Sequence, residues 1–307
     1  MAMPAERKLP ISRAACCGLF ALWFLSSGAQ MTRAEDVAIS SAVVLQAKYA
    51  DLGKQLESNA FGKPLVMESS DAGGTLRGSV YAALGHPFAT FKEGLKQPDH
   101  WCEILILHLN TKYCRATALD GQTVLQVNIG RKSDQPVEKS SRVDFAFRVV
   151  DATQSRLAVV LDADKGPFNT RNYRIVLEAV PVGNGQTFMH LAYSYAYGAA
   201  AKIGLMAYLS TAGSRKVGFT VTGRRNNGEI AYVDGLRGLI ERNTMRYFLA
   251  IEAWLGALSV PPQGRLEKRL ADWYAAAERY PRQLHEIERE DYLDMKRREY
   301  QRQQSPL

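Results

Sequence analysis

Four consecutive segments between residues 141 and 197 alternate apolar and polar side chains with a period of two. No other feature limits the fold as strongly. In "SRVDFAFRVVD", Val143, Phe145, Phe147 and Val149 share one face. "RLAVVLDAD" follows. In "RNYRIVLEAVPV" the shared face carries Tyr173, Ile175, Leu177 and Ala179. In "QTFMHLAYSYAYG" it carries Met189, Leu191, Tyr193, Tyr195 and Tyr197. The opposite faces hold Asp144, Arg148, Arg174, Glu178, His190 and Ser194. This pattern predicts an antiparallel sheet with one wet side and one apolar side. The apolar side needs a cover. A long helix from about Ala231 to Leu258 supplies one, with Leu236, Ile240, Tyr247, Ile251 and Leu255 at helical spacing and Asn243 in the same stripe. Arg237, Glu241 and Arg246 fall off that stripe, and Pro261-Pro262 ends the unit.

The remaining elements fall into order around this sheet. "DVAISSAVVLQAKYADLGKQLES" reads as an amphipathic helix, and "KPLVMESS", "DAGG" and "TLRGSVYAAL" as a hairpin. "HPFATFKEGLKQ" is helical, with Pro87 near its first turn. "KYCRATAL", "DG" and "QTVLQVNIG" form a second hairpin. Between Gly198 and Gly213 lies a soft run, "AAAKIGLMAYLSTAG", followed by the strand-like "KVGFTVTG". The run contains Lys202 and is too short to span a bilayer. It predicts a short helix over one end of the sheet, either a lid hinged at Gly198, Gly204 and Gly213 or a fixed piece of core. Arg215, Lys216, Arg224 and Arg225 lie close by in sequence, where they could meet headgroup phosphates of an anionic membrane. Residues 264–304 hold ten basic and nine acidic residues in mixed order, over a thin stripe of Leu266, Leu270, Trp273, Ala277, Leu284, Ile287 and Met295. They read as surface helices with a solvated charged face.

The N-terminus pairs a basic lead (Arg7, Lys8, Arg13) with the apolar "AACCGLFALWFL" and the small residues Ser27-Gly28-Ala29. That is the form of a cleaved secretory signal, which implies export to the periplasm. The whole chain carries a net charge of +8 over 307 residues. Cleavage removes three of the bases and one acid, leaving a mildly basic chain with no dense Lys/Arg block. Nucleic acid is excluded as a partner on those grounds; transient contact with an anionic membrane surface is not. Two cysteines remain after cleavage, Cys102 and Cys114. An oxidising compartment favours pairing them. As one continuous strand they would lie roughly 40 Å apart, whereas a disulfide needs Cα atoms within about 7 Å. A short helix from His100 to about Leu109, capped by Asp99 and followed by a turn near Asn110-Thr111, would bring them together. The alternative is two unpaired buried thiols.

The order of strand, two short helices, a meander of strands and a long closing helix resembles the START/polyketide-cyclase-like (SRPBCC, helix-grip) superfamily. The patch that carries the resemblance is "VYAALGHPFATFKEGLKQPDHWCEIL", through Pro87, Phe91, Leu95, Pro98 and Trp101. It covers about Thr75 to Leu258; the N-terminal helix, the run at 199–213 and the C-terminal extension lie outside the pattern. The resemblance implies an α+β helix-grip fold, a curved antiparallel sheet wrapped around the long C-terminal helix, in a bacterial exported member with helical N- and C-terminal extensions. The expected divisions are a signal peptide at 1–29, a helical segment at 30–62, a START-like ligand-binding domain at 63–260 and a charged extension at 261–307.

A pocket between sheet and helix is the further implication, and the residues point the same way. Phe and Tyr side chains on one sheet face offer apolar area with hydroxyl handles. Buried hydroxyls without partners would be costly in a dry core. The expected ligand wall is Phe145, Phe147, Tyr173, Ile175, Leu177, Tyr193, Tyr195 and Tyr197 on the strands. Leu205 and Met206 face it from the soft run, and Leu236, Ile240, Asn243 and Tyr247 from the helix. The alternative is a filled core. No hydrolase, zinc-protease, P-loop or paired CxxC motif is present. The five histidines do not cluster, Asp162 and Asp164 lack the further ligands of a calcium loop, and no metal or cofactor is expected. Of Arg237, Glu241 and Arg242, the first two suit an exposed pair four residues apart; one of the three turned inward would anchor a carboxylate or phosphate. The expected function is binding or carriage of a hydrophobic small molecule such as a lipid. The alternatives are a cyclase or lyase in the same cavity, with a tyrosine or an acid as proton donor, and an interaction module acting through the C-terminal helices.

Overall fold

The computed structural model describes residues 40–210 and 216–305. The expected signal peptide, with Cys16 and Cys17, lies outside the described residues, as do Gly213 and Arg215. The first described helix, α1 (Ala42–Asp51), begins where the Ser41 hydroxyl accepts the Val44 N–H. A short α2 (Gly53–Glu57) follows. Strands β1 (Leu65–Ala72) and β2 (Thr75–Leu84) form the expected hairpin, turning through Gly73-Gly74 at positive φ. Pro87 opens α3 (Phe88–Leu95). The next helix, α4 (Pro98–Leu105), departs from expectation at both ends. It starts on Pro98, whose missing N–H costs nothing in a first turn, and stops four residues early. The chain then turns and enters β3 (Thr111–Leu119), which returns Cys114 to Cys102; the two form a disulfide with Cα atoms 5.1 Å apart.

Asp120-Gly121, both at positive φ, link β3 to β4 (Gln122–Ile129). Strands β5 (Ser141–Ala152), β6 (Leu157–Lys165), β7 (Arg171–Val182) and β8 (Gln186–Ala196) complete the meander. The soft run becomes α5 (Ala199–Ser210). A small hairpin, β9 (Val221–Arg224) and β10 (Ile230–Tyr232), precedes the long α6 (Gly235–Gly256). Residues 231–234 therefore do not join the helix as expected, because Gly235 takes φ 58° and breaks the chain direction there. Helices α7 (Arg265–Ala277), α8 (Pro281–Leu284) and α9 (Arg289–Gln303) end the described chain.

All eight long strands form one antiparallel sheet in the order β1-β2-β8-β7-β6-β5-β4-β3. Only β2 and β8 pair out of sequence. Bulges near Thr111, Val149 and Arg171 bend the strands. The curved sheet holds α6 against β1, β2 and β8. This is the helix-grip arrangement, with helical additions before and after it. Gly78 marks how close the grip is: a Cβ there would overlap the Thr244 side chain of α6.

The convex face is not the wet face the alternation suggests. Leu45 of α1, Leu52 between the two helices and Leu56 of α2 pack with Val66, Val180 and Phe188 in a second apolar cluster. Glu178, His190 and Ser194, expected on the wet side, are buried too. Val149, expected in the core row, is exposed where β5 bends away. The C-terminal charges are not all solvated either. Leu270, Trp273, Ala277, Leu284, Tyr292, Leu293 and Met295 belong to the main core, and Arg269, Lys296 and Glu299 are buried with them.

Candidate functional site

The concave face of the sheet carries a run of aromatic rings. Tyr173 on β7 stacks on Tyr195 of β8 with centroids 5.1 Å apart, and Phe145 of β5 meets Tyr173 edge-on at 6.3 Å. Tyr193 lies 5.7 Å from Tyr195 and 5.3 Å from Tyr247 of α6. Tyr247 in turn stacks on His108 at 4.8 Å. The rings form a continuous wall from mid-sheet to the turn between α4 and β3. They meet because β7 and β8 pair with Ile175 opposite Tyr193, and every second residue faces the helix.

The hydroxyls on this wall are treated unequally. Thr170 donates its own proton to the Pro167 carbonyl, so Tyr173 donates to Thr170 Oγ1 at 2.6 Å. Among the described residues, the hydroxyls of Tyr193, Tyr195 and Tyr247 have no hydrogen-bond partner. Burial pushes Tyr173 up to about 12, and pushes Tyr193, Tyr195 and Tyr247 up as well, with repulsion between neighbouring phenolates as the second cause in those three. All four are neutral donors at physiological pH. On α6, Asn243 and Tyr247 keep partial exposure, although Arg242, Thr244, Met245, Arg246 and Phe248 around them have none.

At the His108 end the wall becomes polar. Arg246, fully buried, donates to Glu286 Oε1 at 2.7 Å and to Asn243 Oδ1 at 3.4 Å, and its Nε has no partner. Lys132 donates to the same Glu286 oxygen at 2.6 Å. Lys216 donates to the His285 carbonyl. His108 accepts the Asn110 N–H at Nδ1, and its buried Nε2 has no partner. Burial, followed by the charges of Arg246, Lys296, Lys132 and Lys112, holds the His108 pKa well below the usual imidazole range. The ring is therefore neutral, with its proton on Nε2.

The expected wall residues fall into three groups. Phe145, Phe147, Tyr173, Ile175, Leu177, Tyr193, Tyr195, Leu205, Leu236 and Ile240 are buried in one cluster, with Tyr247 packed against them and Asn243 next to Arg246. Tyr197 sits at the sheet's end and donates to Asp71 Oδ1 at 2.7 Å. Met206 points outward and is 47% exposed; α5 buries Ala201, Leu205 and Leu209 instead, one residue per turn.

Charge on α6 overturns the expected surface pair. Glu241 is wholly buried and accepts from the Phe219 and Thr220 backbone N–H groups and from the hydroxyls of Thr220 and Ser69. Arg237 donates to the Ser69 hydroxyl. Gly218 permits this approach, since a Cβ there would collide with the Glu241 carboxylate. Arg224 and Arg225 spend their charge locally, on the Gly228 carbonyl and on Glu229. Asp162 is held by Arg148 and Arg174.

Sequence reasoning missed one constellation on the convex face. His190 lies between Glu178 (Nδ1 to Oε2, 3.4 Å) and Ser79 (Nε2 to Oγ, 3.3 Å). The order matches a nucleophile, base and orienting acid. However, Ser79 sits in mid-sheet, paired to Glu68 on one side and Ala192 on the other, so the adjoining backbone supplies no donors for a developing oxyanion. Two surface grooves also lie away from the tyrosine wall. One, of about 440 Å³, is lined by Asp134, Glu138 and Arg302; the other, of about 260 Å³, by Phe61, Met67 and Phe219.

No family model and no curated protein matches the chain. Among solved structures, Ara h 8.0201 is similar to it at 11% identity, over 61% of this chain and all of that one, with a TM-score of 0.35. Norcoclaurine synthase from Thalictrum flavum is similar at 14% identity, over 48% of this chain and 80% of that one, at 0.32. A conserved protein of unknown function from Enterococcus faecalis is similar at 9% identity, over 82% and 97%, at 0.31. Scores at that level carry no argument, and the helix-grip assignment rests on this chain's own strand order and its enclosed α6.

Proposed function

We propose that this chain is an exported member of the START-like superfamily that binds or carries a hydrophobic small molecule, a lipid above all, between the tyrosine wall and α6. One observation carries the reading. Three tyrosine hydroxyls lie together on a buried apolar wall with no hydrogen-bond partner among the described residues, beside Asn243 and Tyr247 of α6, which keep accessible surface. A hydroxyl on an apolar wall gains free energy from a polar partner, so these donors suit a guest with a polar atom. Desolvation of an apolar guest supplies the affinity, at about 25 cal/mol per Å² removed from water. The hydroxyls and Asn243 supply orientation.

Helix α5 serves as the lid in this reading. Its inner face closes the wall with Leu205, and its outer face exposes Ile203. With Phe168 on the neighbouring turn, this makes an apolar edge suited to transient contact with a membrane. Export is supported by the signal-like N-terminal sequence and by the disulfide, a bond of oxidising compartments. No helix among the described residues is long and apolar enough to cross a membrane.

Native mass spectrometry of the chain purified from its own host tests the reading. The expected result is an added mass that organic solvent extracts. A chain that carries no such mass, and that leaves the fluorescence of N-phenylnaphthylamine unchanged at every concentration, would sink it.

A further inference from the structure

We infer that the guest is an amphipathic anion whose carboxylate or phosphate head sits at the polar end of the tyrosine wall, against Arg246 and His108. This inference rests on the binding reading above and gives the guest its chemical class.

The donors come from elements far apart in sequence. Arg246 belongs to α6, His108 to the turn after α4, Lys132 to the connection after β4, Lys216 to the segment before β9, and Glu286 to the turn after α8. Burying a guanidinium is costly unless its N–H groups are satisfied. Arg246 has no exposed surface, yet its Nε has no partner. His108 is 2% exposed and its Nε2–H is likewise unmatched. Both unmatched groups are donors, so the missing partner is an acceptor.

The charge balance points the same way. Arg242, Arg246, Lys132 and Lys216 all act on the neighbourhood of Glu286. Glu286 is the carboxylate bonded to Arg246 and Lys132, while Glu278 is bonded to His285 and acts on Lys216. An incoming anion would be attracted by Arg246 and Lys216; an incoming cation would be repelled. Arg246 and the Glu286 it already binds show that the corner holds a carboxylate.

The tail's direction follows from the ring contacts. His108 stacks on Tyr247, and Tyr247 meets Tyr193, so a head held at His108 starts its chain along the aromatic wall. Asn243 and Tyr247, half-buried on α6 beside Arg246, mark where head and tail join.

The test uses the full chain after delipidation. It is titrated with a long-chain fatty acid, the matching primary alcohol, a lysophosphatidic acid and inorganic phosphate, each read by displacement of N-phenylnaphthylamine and by calorimetry. The acid and the lysophosphatidic acid should bind at least about tenfold tighter than the alcohol at neutral pH. Arg246→Met should bring acid and alcohol to equal affinity. If that variant does not fold, the unaltered chain provides the second arm: the methyl ester of the same fatty acid should bind no tighter than the alcohol, and an ester that binds as tightly as the acid would overturn the anionic head. An alcohol that binds as tightly as the acid would overturn the anionic head and leave the binding reading standing. Inorganic phosphate bound as tightly as the lysophosphatidic acid would overturn the tail. Failure of every chain-bearing probe would overturn the binding reading itself.

Discussion

Lys112 and Lys296 share one carboxylate, Glu299, and none of the three side chains has exposed surface. Lys296 also donates to the His108 and Thr111 carbonyls, and Lys112 to the Leu109 carbonyl. Burial pushes Lys296 down to about 8, and Lys132 likewise to about 8, from the ordinary 10.5. The unfolded chain holds these protons up to about 10.5. Between about pH 8 and 10 it therefore binds more protons than the folded chain, and unfolding free energy climbs with pH. The buried tyrosines act in the other direction. Unfolded, they ionise near 10; folded, they stay neutral to about 12 or beyond. Stability should then fall above about pH 10. Urea midpoints measured from neutral to alkaline pH should peak near that value, and a steady decline from pH 8 would contradict the burial of these lysines. At Tyr193 the expected effect is on binding. Tyr193→Phe removes a hydroxyl that no group among the described residues uses, so the melting temperature should hold or rise slightly while affinity for the guest drops about tenfold. A loss of stability of more than about 1 kcal/mol would mean that the hydroxyl has a structural partner. Which charges are buried was not legible in the sequence. Glu241, Arg246, Lys296 and Glu299 look like any helix-surface residue until segments distant in sequence supply their partners. The tyrosines were legible, because a period of two places them on one face wherever the strand lies.

At the scale of elements, the eight strands of the main sheet were read from their turns and shared faces, but the small hairpin was not: β9 starts at Val221 and not at Lys216, and β10 runs into the stretch drawn as helix. The helix boundaries were less visible. A proline at the first position of α4 and a left-handed glycine at the first position of α6 outweighed the apolar spacing on which the longer helices were drawn. The α4–β3 unit carries the disulfide, which closes a separation of 12 residues. A double Cys102→Ala, Cys114→Ala variant should lose about 2–3 kcal/mol, read as a lowered urea midpoint with little change in slope. A change under about 0.5 kcal/mol would show that the turn after α4 is held by its other bonds alone. In the proposed binding reading, a guest would enter past helix α5. Ala201, Leu205 and Leu209 anchor it by a single narrow stripe, so it should open at a lower free energy than α6, which is buried on nearly every side. Amide exchange across residues 199–210 should be fast in the delipidated chain and slow with a bound fatty acid. Strong protection in both states would make α5 a fixed wall and not a lid.

For the whole molecule, the C-terminal helices decide whether the grip is complete by itself. An interaction module would dock through α7 to α9 and survive their removal as a binding domain. The packing argues against that independence. Trp273 of α7 donates its indole N–H to the Arg246 carbonyl of α6 and stacks on Tyr292 of α9 at 4.9 Å. Tyr292 donates to the Leu107 carbonyl, and Glu299 partners the buried Lys112 of β3. Glu286, the carboxylate bonded to Arg246 and Lys132, also comes from this region. Cutting the chain after Gln263 would expose the faces of α6 and β3 that these helices cover. It would also leave Lys112 and Arg246 without their carboxylates, a penalty of about 3–5 kcal/mol for each broken buried pair. Those losses rival the entire stability of an ordinary domain. The truncated chain should therefore be insoluble or molten, judged by loss of near-ultraviolet circular dichroism and of a cooperative melt. A soluble fragment that melts cooperatively and still binds the fatty acid would show the grip to be a separate folding unit, and would return the charged helices to the role of a docking arm.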